Sequence, residues 1–325
     1  MASKVLVTGG AGFIGSHVVE HLLERGDQVV VLDNFNDFYD PAIKRSNAEL
    51  LKGARVVEGD LRDEGLVARL FEEERLDAVV HLAAMAGVRP SLLDPLHYTD
   101  VNVRGTQVLL RQLEQRPEVR LVFASSSSVY GSNERVPFRE DDDIHHPISP
   151  YAATKRAGEL LCYTHHHLYG TPISCLRYFT VYGPRQRPEM AIHAFVRRTL
   201  AGEPIPIFGD GSTRRDYTYV ADIVDGTVRA LDRCEGYEIY NLGESQTISL
   251  ADLVEAIGKA CGVAPRLDRR PLQPGDVMVT YADVTKARER LGYRPSTSIQ
   301  VGLEHFLEWY RAGPLRSIDG RQGAR

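Results

Sequence analysis

"KVLVTGGAGFIGSHVVEHLLERGDQVVVLD", residues 4–33, decides the fold. The apolar run Val5–Val7 leads into Gly9, Gly12 and Gly15 in a G-x-x-G-x-x-G spacing, and a helix-like stretch with paired apolar residues follows. A second apolar run ends at Asp33. Strand, glycine turn, helix and strand make a βαβ unit of a parallel sheet. Glycines let the turn be tight and let the backbone approach a pyrophosphate, which then rests on the positive end of the helix. A tight strand-to-helix turn alone is the other reading; the strand before and the helix behind favour the dinucleotide one. Phe13 and Ile14 lie in the same turn. A carboxylate at the end of the second strand accepts hydrogen bonds from ribose hydroxyls and repels a 2′-phosphate. Asp33, followed by Asn34, therefore points to NAD rather than NADP.

Outward from that unit the rhythm repeats. "ARVVEGD", "EGLVARLFEEE", "DAVVHLAA", "VNVRGTQVLLRQLEQ" and "VRLVFASS" alternate short apolar runs with helical patterns. The runs are continuous rather than alternating, as in strands covered by helices on both faces. The expected class is α/β, a doubly wound, Rossmann-type parallel sheet. Asp60, with Leu61 after it, closes the third run and either reaches an adenine or caps the next helix. Leu82, Ala83 and Ala84 in "HLAAMAG" are small enough to leave room for a flat cofactor, and are equally common as packing residues. After about residue 180 prolines and glycines cluster, in "VYGPRQRP" and "GEPIPIFGDGS". We expect an NAD-binding domain over residues 1–180, with the chain returning to it at about 217–245. A smaller, interleaved C-terminal substrate domain, mainly 181–325, is expected to form a cleft with it.

The chain has 325 residues, 43% apolar and 26% charged, with a formal net charge of −5 and no long block of one sign. This argues against nucleic acid as the main partner. Cys162, Cys175, Cys234 and Cys261 are far apart and lack a C-x-x-C, which fits reduced buried thiols. The first residues run straight into a strand, and no long apolar stretch follows, so neither a signal peptide nor a membrane span is expected. The expectation is a cytoplasmic protein. His165, His166 and His167 are consecutive on a helix and cannot converge on one ion, so no metal is expected and a partly exposed helix face is the reading.

Tyr151 and Lys155 stand four apart at the start of a predicted helix, on one face. A lysine beside a phenol favours the phenolate, which can then serve as a base. Alone, this spacing also fits a surface pair. Here it follows "VFASSSSVYG" (122–131) in a chain with a dinucleotide turn, and that combination points to catalysis.

"TGGAGFIGSH", "GDLRD", "HLAA", "SSSVYG", "YAATK", "RYFTVYGP" and "RRDYTYVADI", in this order, resemble the extended short-chain dehydrogenase/reductases. The branch is that of the NAD-dependent nucleotide-sugar epimerases and dehydratases, and the match runs from residue 5 to about 310. "MAGVRPS", "SSSSVYG", "YAATKRAGE" and "PGDVMVTYAD" are similar to the UDP-glucuronate 4-epimerases. The resemblance implies a catalytic set of Ser126, Tyr151 and Lys155, tightly held NAD, and a nucleoside-diphosphate sugar in the cleft. It adds Asn102 and Tyr178 to the cofactor contacts. In the implied reaction Tyr151 takes the 4-hydroxyl proton, C4 is oxidised to a ketone, the sugar turns, and hydride returns to its other face. Dehydratases of the family carry Asp and Glu where this chain has Ser127 and Ser128, so elimination lacks its acid and base. Ser127, Ser128 and Thr180 are expected to hold a uronate carboxylate; several neutral-sugar epimerases have Asn at the position of Thr180. Arg215 matches the family's pyrophosphate arginine, Arg89 and Arg187 are expected at phosphate or nucleoside, and Asp276 at the nucleoside ribose. Gln273, where many UDP-hexose epimerases have Arg, and Arg185, where an aromatic is common, depart from the pattern. Relatives pair as homodimers through two helices each, here about 99–115 and 151–169.

Overall fold

The computed structural model describes residues 2–271 and 277–313. Seven strands form the central sheet: β1 (Lys4–Thr8), β2 (Gln28–Asp33), β3 (Arg55–Glu58), β4 (Ala78–His81), β5 (Arg120–Ser126), β6 (Ile173–Tyr178) and β7 (Tyr237–Leu242). Their order is β7-β6-β5-β4-β1-β2-β3, and every ladder is parallel. The chain winds outward from β1 to β3, then crosses back to place β4 on the other side of β1. A crevice opens beyond the carboxyl ends of the strands at such a reversal.

The continuous apolar runs are explained by two cores. Val5, Val7, Val29, Val31, Val80 and Val122 face one. Leu6, Val30, Leu32, Val79, Leu121 and Phe123 face the other. Each such side chain contributes about 1.5–3 kcal/mol on burial. One run differs from its reading. β3 is the sheet edge, its Val56 is 39% exposed, and Arg55 pairs with Glu73 and Glu74 on the neighbouring helix. Charge on an open edge discourages pairing with another chain.

The helix Phe13–Glu24 begins at Gly12 and packs under the helix Val220–Asp232, which feeds β7 into the sheet beside β6. Tyr151 stands in the first turn of Pro150–Tyr169. Ser149 caps that helix by accepting from the Ala152 N–H, and Gly170 ends it in the left-handed conformation at φ 77°. Three two-stranded sheets lie outside the main one. They join Thr180–Tyr182 to Tyr217–Tyr219, Arg214–Arg215 to Ile248–Ser249, and Ile205–Phe208 to Leu267–Arg270. All four cysteines are free and buried. No helix among the described residues is long and apolar enough to cross a membrane.

Candidate active site

A cavity of about 550 Å³ runs along the carboxyl ends of β1, β2, β4, β5 and β6. At one end lie Gly9, Gly12, Phe13, Ile14, Gly15, Asp33, Asn34, Asp60, Leu61, Leu82, Ala83 and Ala84. Gly9 has φ +70°, and a Cβ there would stand 2.8 Å from the Ala83 nitrogen; a Cβ on Gly15 would overlap the Gly9 carbonyl. The helix Phe13–Glu24 has neither a side-chain cap nor an acidic residue in its first turn, so its amides and dipole are open to an anion. The Asp33 carboxylate accepts from the Ala11 N–H (3.1 Å) and the Phe35 N–H (2.9 Å) and stands at the cavity wall. A glycine cradle, a bare helix end and a carboxylate on the second strand fit a dinucleotide with free ribose hydroxyls.

Asp60 does not cap the next helix; Asp63 does, accepting from the Leu66 N–H. Asp60 instead accepts from Arg62 and from Asn34 Nδ2, and the Arg62 contact holds its carboxyl well below the usual range. Asn102 departs from its expected place. It is buried behind the wall, in a π-helical turn at Asp100–Arg104. There it accepts from the Met85 N–H (2.7 Å) and donates to the Met85 carbonyl (2.9 Å) and Thr154 (3.0 Å). It shapes the 82–86 loop and does not line the cavity. His81 extends the same scaffold. Thr106 already donates to the Asn102 carbonyl, so it accepts from His81 Nε2–H, and His81 Nδ1 accepts from Thr8. This tautomer is neutral, and burial pushes its pKa down to about 3.

At the other end Ser126, Ser127, Ser128, Tyr151, Lys155, Tyr178 and Thr180 line the cavity. Ser126 acts on the Tyr151 phenol by lowering its pKa, and its hydroxyl accepts from the Ser128 N–H (3.2 Å). Ser128 Oγ is buried with no hydrogen-bond partner among the described residues. Lys155 has a partner other than the Tyr151 phenol. Lys155 donates to the Ala124 carbonyl (2.8 Å), lies 6.0 Å from the centre of the Tyr151 ring, and is pushed down to about 8 by its own burial. Burial raises the Tyr151 phenol; the Ser126 hydrogen bond and the Arg187 charge oppose it. Tyr178 points its hydroxyl to Thr227 (2.8 Å), so its ring rather than its oxygen forms wall.

Arg89, Arg187 and Arg215 all reach the cavity. Arg89 stacks on Phe208 and Arg187 on Phe38, and Arg187 also pairs with Glu189 at 3.1 Å. Arg215 is followed by Asp216. That carboxylate is fully buried and accepts from Glu244, Ser245 and Ala282 N–H groups, while its carbonyl accepts from Thr180 N–H. Thr180 and Arg215 are thus fixed through one residue. Asp276 and Gln273 lie outside the described residues. Of the three histidines, His165 is buried against Thr171, His166 is half-buried and bonds the Thr171 carbonyl, and His167 is exposed, so the run is a partly exposed helix face. Among the described residues no group of three His, Cys, Asp or Glu side chains is placed to hold a metal.

Sequence reading missed several participants. Lys44, 6% exposed, lines the cofactor end and donates to Asn36 Oδ1 at 2.6 Å. Nothing in the spacing of "FNDFYDPAIK" marks it. Glu159 and Arg177 form a buried pair beneath the serine run; the only available signal was an arginine inside the otherwise uncharged β6.

The chain is similar to known proteins over nearly its whole length. UDP-glucuronate 4-epimerase 3 of Arabidopsis thaliana is 44% identical, over 94% of this chain and 76% of its own length. The UDP-glucuronate 4-epimerase of Thermodesulfobacterium geofontis is 43% identical, over 94% and 95%. The crystal structure of the Bacillus cereus UDP-glucuronic acid 4-epimerase, in complex with UDP-glucuronic acid and NAD, superposes with a TM-score of 0.89 at 36% identity, covering 95% of this chain and 99% of that one. The Thermotoga maritima UDP-glucose 4-epimerase with UDP-glucose gives 0.89 and 36%, with the same coverage. A family model described as GDP-mannose 4,6 dehydratase matches residues 6–306, and with it the chain belongs to that family of extended short-chain dehydrogenase/reductases.

Proposed function

We propose that this chain is an NAD-dependent nucleotide-sugar 4-epimerase, and that its substrate pair is UDP-glucuronate and UDP-galacturonate. The observation that carries the reading is the composition of the cavity wall. Among the described residues its carboxylates are Asp33 and Asp60, both at the cofactor end. Hydroxyls of Ser126–Ser128 and Thr180 stand at the Tyr151 end, one of them unpartnered. An elimination needs a placed acid and base; an anionic sugar needs donors. The relatives named for UDP-glucuronate support the same choice.

In this reading Gly9, Gly12, Gly15 and the Phe13–Glu24 helix hold the pyrophosphate of NAD, and Asp33 its adenosine ribose. Bound there, NAD supplies reversible hydride acceptance at C4. Tyr151 takes the proton of the 4-hydroxyl, with Ser126 sharing the hydrogen bond and orienting it. Lys155 fixes the Ala124 carbonyl, with its ammonium 6.0 Å from the centre of the Tyr151 ring. Arg215 and Arg89 bind the diphosphate; Ser127, Ser128 and Thr180 hold the uronate through the turn that exposes the opposite face. Residues 1–180 with the 217–245 return act as the cofactor domain, and 181–325 as the substrate domain.

A homodimer is part of the proposal. Leu160, Tyr163, Leu168 and Tyr169 are exposed on the Pro150–Tyr169 helix, and Leu92, Leu93 and Leu96 on the neighbouring short helices. The 105–113 helix instead exposes Gln107 and Arg111, so the support lies with 92–96 and 160–169. A cytoplasmic location is consistent with free cysteines and remains part of the reading.

The test is incubation with UDP-glucuronate, UDP-glucose and UDP-N-acetylglucosamine, each followed by NMR. UDP-galacturonate should accumulate to equilibrium without consumption of an external oxidant. Turnover of the neutral sugars alone would favour the UDP-glucose epimerase likeness; a released keto-sugar or pentose would overturn the reading.

A further inference from the structure

Ser125 stands beside Ser126 and has no part in the reaction above. Its hydroxyl donates to Glu159 Oε1 at 2.6 Å. Glu159 lies one helical turn beyond Lys155 and two beyond Tyr151, so all three share a face. Its carboxylate is fully buried. Oε1 also accepts from Arg177 Nε (2.9 Å), and Oε2 from Arg177 Nη2 (3.1 Å) and Arg156 Nη1 (3.0 Å). Arg177, on β6 and 1% exposed, uses Nη1 to donate to the Tyr130 hydroxyl (2.9 Å) and the Glu140 carbonyl (3.2 Å). Tyr130 in turn donates to Asn241 Oδ1 at 2.7 Å on β7.

The serine run is therefore gripped at both ends. Lys155 holds the Ala124 carbonyl and Glu159 holds Ser125; Arg177 holds Tyr130. Only residues 126–129 span the gap. Taking a carboxylate and a guanidinium out of water is costly, and apolar side chains of equal volume fill such a space without that cost. What the pair supplies and an apolar filling does not is a set of directed hydrogen bonds.

We propose that the Glu159–Arg177 pair is a positioning unit that sets the Ser126–Ser128 turn against the Tyr151 phenol, acting through Ser125 and Tyr130. The inference rests on the epimerase reading. Ser125→Ala and Tyr130→Phe each remove one grip and leave the ion pair intact. With UDP-glucuronate, each variant should lower kcat about tenfold, the scale of one lost hydrogen bond, with KM within about twofold. The acidic limb of the kcat–pH profile should move to higher pH, because a loosened Ser126 lowers the phenol's pKa less. NAD content should stay near wild type, and melting temperature should fall by no more than the few degrees that one lost buried hydrogen bond costs. The double variant should lose less than the product of the singles, since both act on one turn. Wild-type kcat and pH profile in both singles would overturn the inference, as would a fall in kcat matched by an equal loss of NAD. A wild-type protein that does not epimerise would sink the underlying reading instead.

Discussion

Tyr151 shows how far local chemistry reaches at the scale of a residue. Its spacing from Lys155 was legible in the sequence, and so was the shared face. The lysine's hydrogen-bond partner was not. A helix places the two side chains side by side, but β5 offers the Ala124 carbonyl, and the ammonium takes it. The phenol is left with burial, Ser126 and Arg187 as the determinants of its pKa. Tyr151→Phe removes the proton acceptor and should lower kcat by about 10²–10⁴-fold with NAD still bound, read as NADH absorbance and product NMR. Ser127→Ala with Thr180→Ala should raise KM for UDP-glucuronate about tenfold or more and leave UDP-glucose turnover unchanged, since each removes a donor to the carboxylate. Unchanged discrimination between the two sugars would remove these hydroxyls from substrate selection.

Among the elements, β1, its glycine turn and the following helix were readable because every requirement is local. The glycines are needed within a few residues of one another: Gly9 has φ +70°, and a Cβ on Gly15 would overlap the Gly9 carbonyl. Gly9→Ala should therefore strip NAD from the purified protein, read by its absorbance and by a lower melting temperature. β3 was readable as a strand but not as an edge, because edge position depends on what fails to pair with it. Asn102 looked like a ligand contact and proved to be a clamp on the Met85 backbone, since a side-chain amide serves either task equally well. His81 belongs to that same clamp. It is neutral in the fold, with its pKa lowered to about 3 from 6.5. The unfolded chain binds a proton below about pH 6.5 and the folded one does not, so stability is full above that pH and falls as pH drops toward 3. Between neutrality and about pH 4.5 this site alone should remove roughly 3 kcal/mol. Urea titrations of wild type and His81→Gln at both pH values check it; an equal acid loss in the two proteins would assign the effect elsewhere.

For the whole molecule, the class and the winding were legible from apolar runs, and the buried Glu159–Arg177 pair was not, since its members are 18 residues apart and meet only when helix and sheet pack. Association is the property to measure. If exposed apolar residues of the Pro150–Tyr169 helix meet a second copy, Leu160→Asp with Leu168→Asp should halve the mass seen by light scattering at micromolar protein. A monomeric wild type would refute the dimer directly.

The last strand of the sheet comes from the far side of the sequence. β7 pairs with β6 along its whole length, from Tyr237 beside Ile173 to Leu242 beside Tyr178. A gene cut after residue 180 would therefore not release a tidy cofactor module. It would leave β6 as a bare, apolar template for any other strand, and remove the Val220–Asp232 helix that covers the Phe13–Glu24 helix. Such a fragment should collect in inclusion bodies, whereas one that carries residues 217–245 on a short connector has both the missing strand and its cover. The fold thus ties the inheritance of its two halves together: neither can be exchanged between relatives by a single crossover.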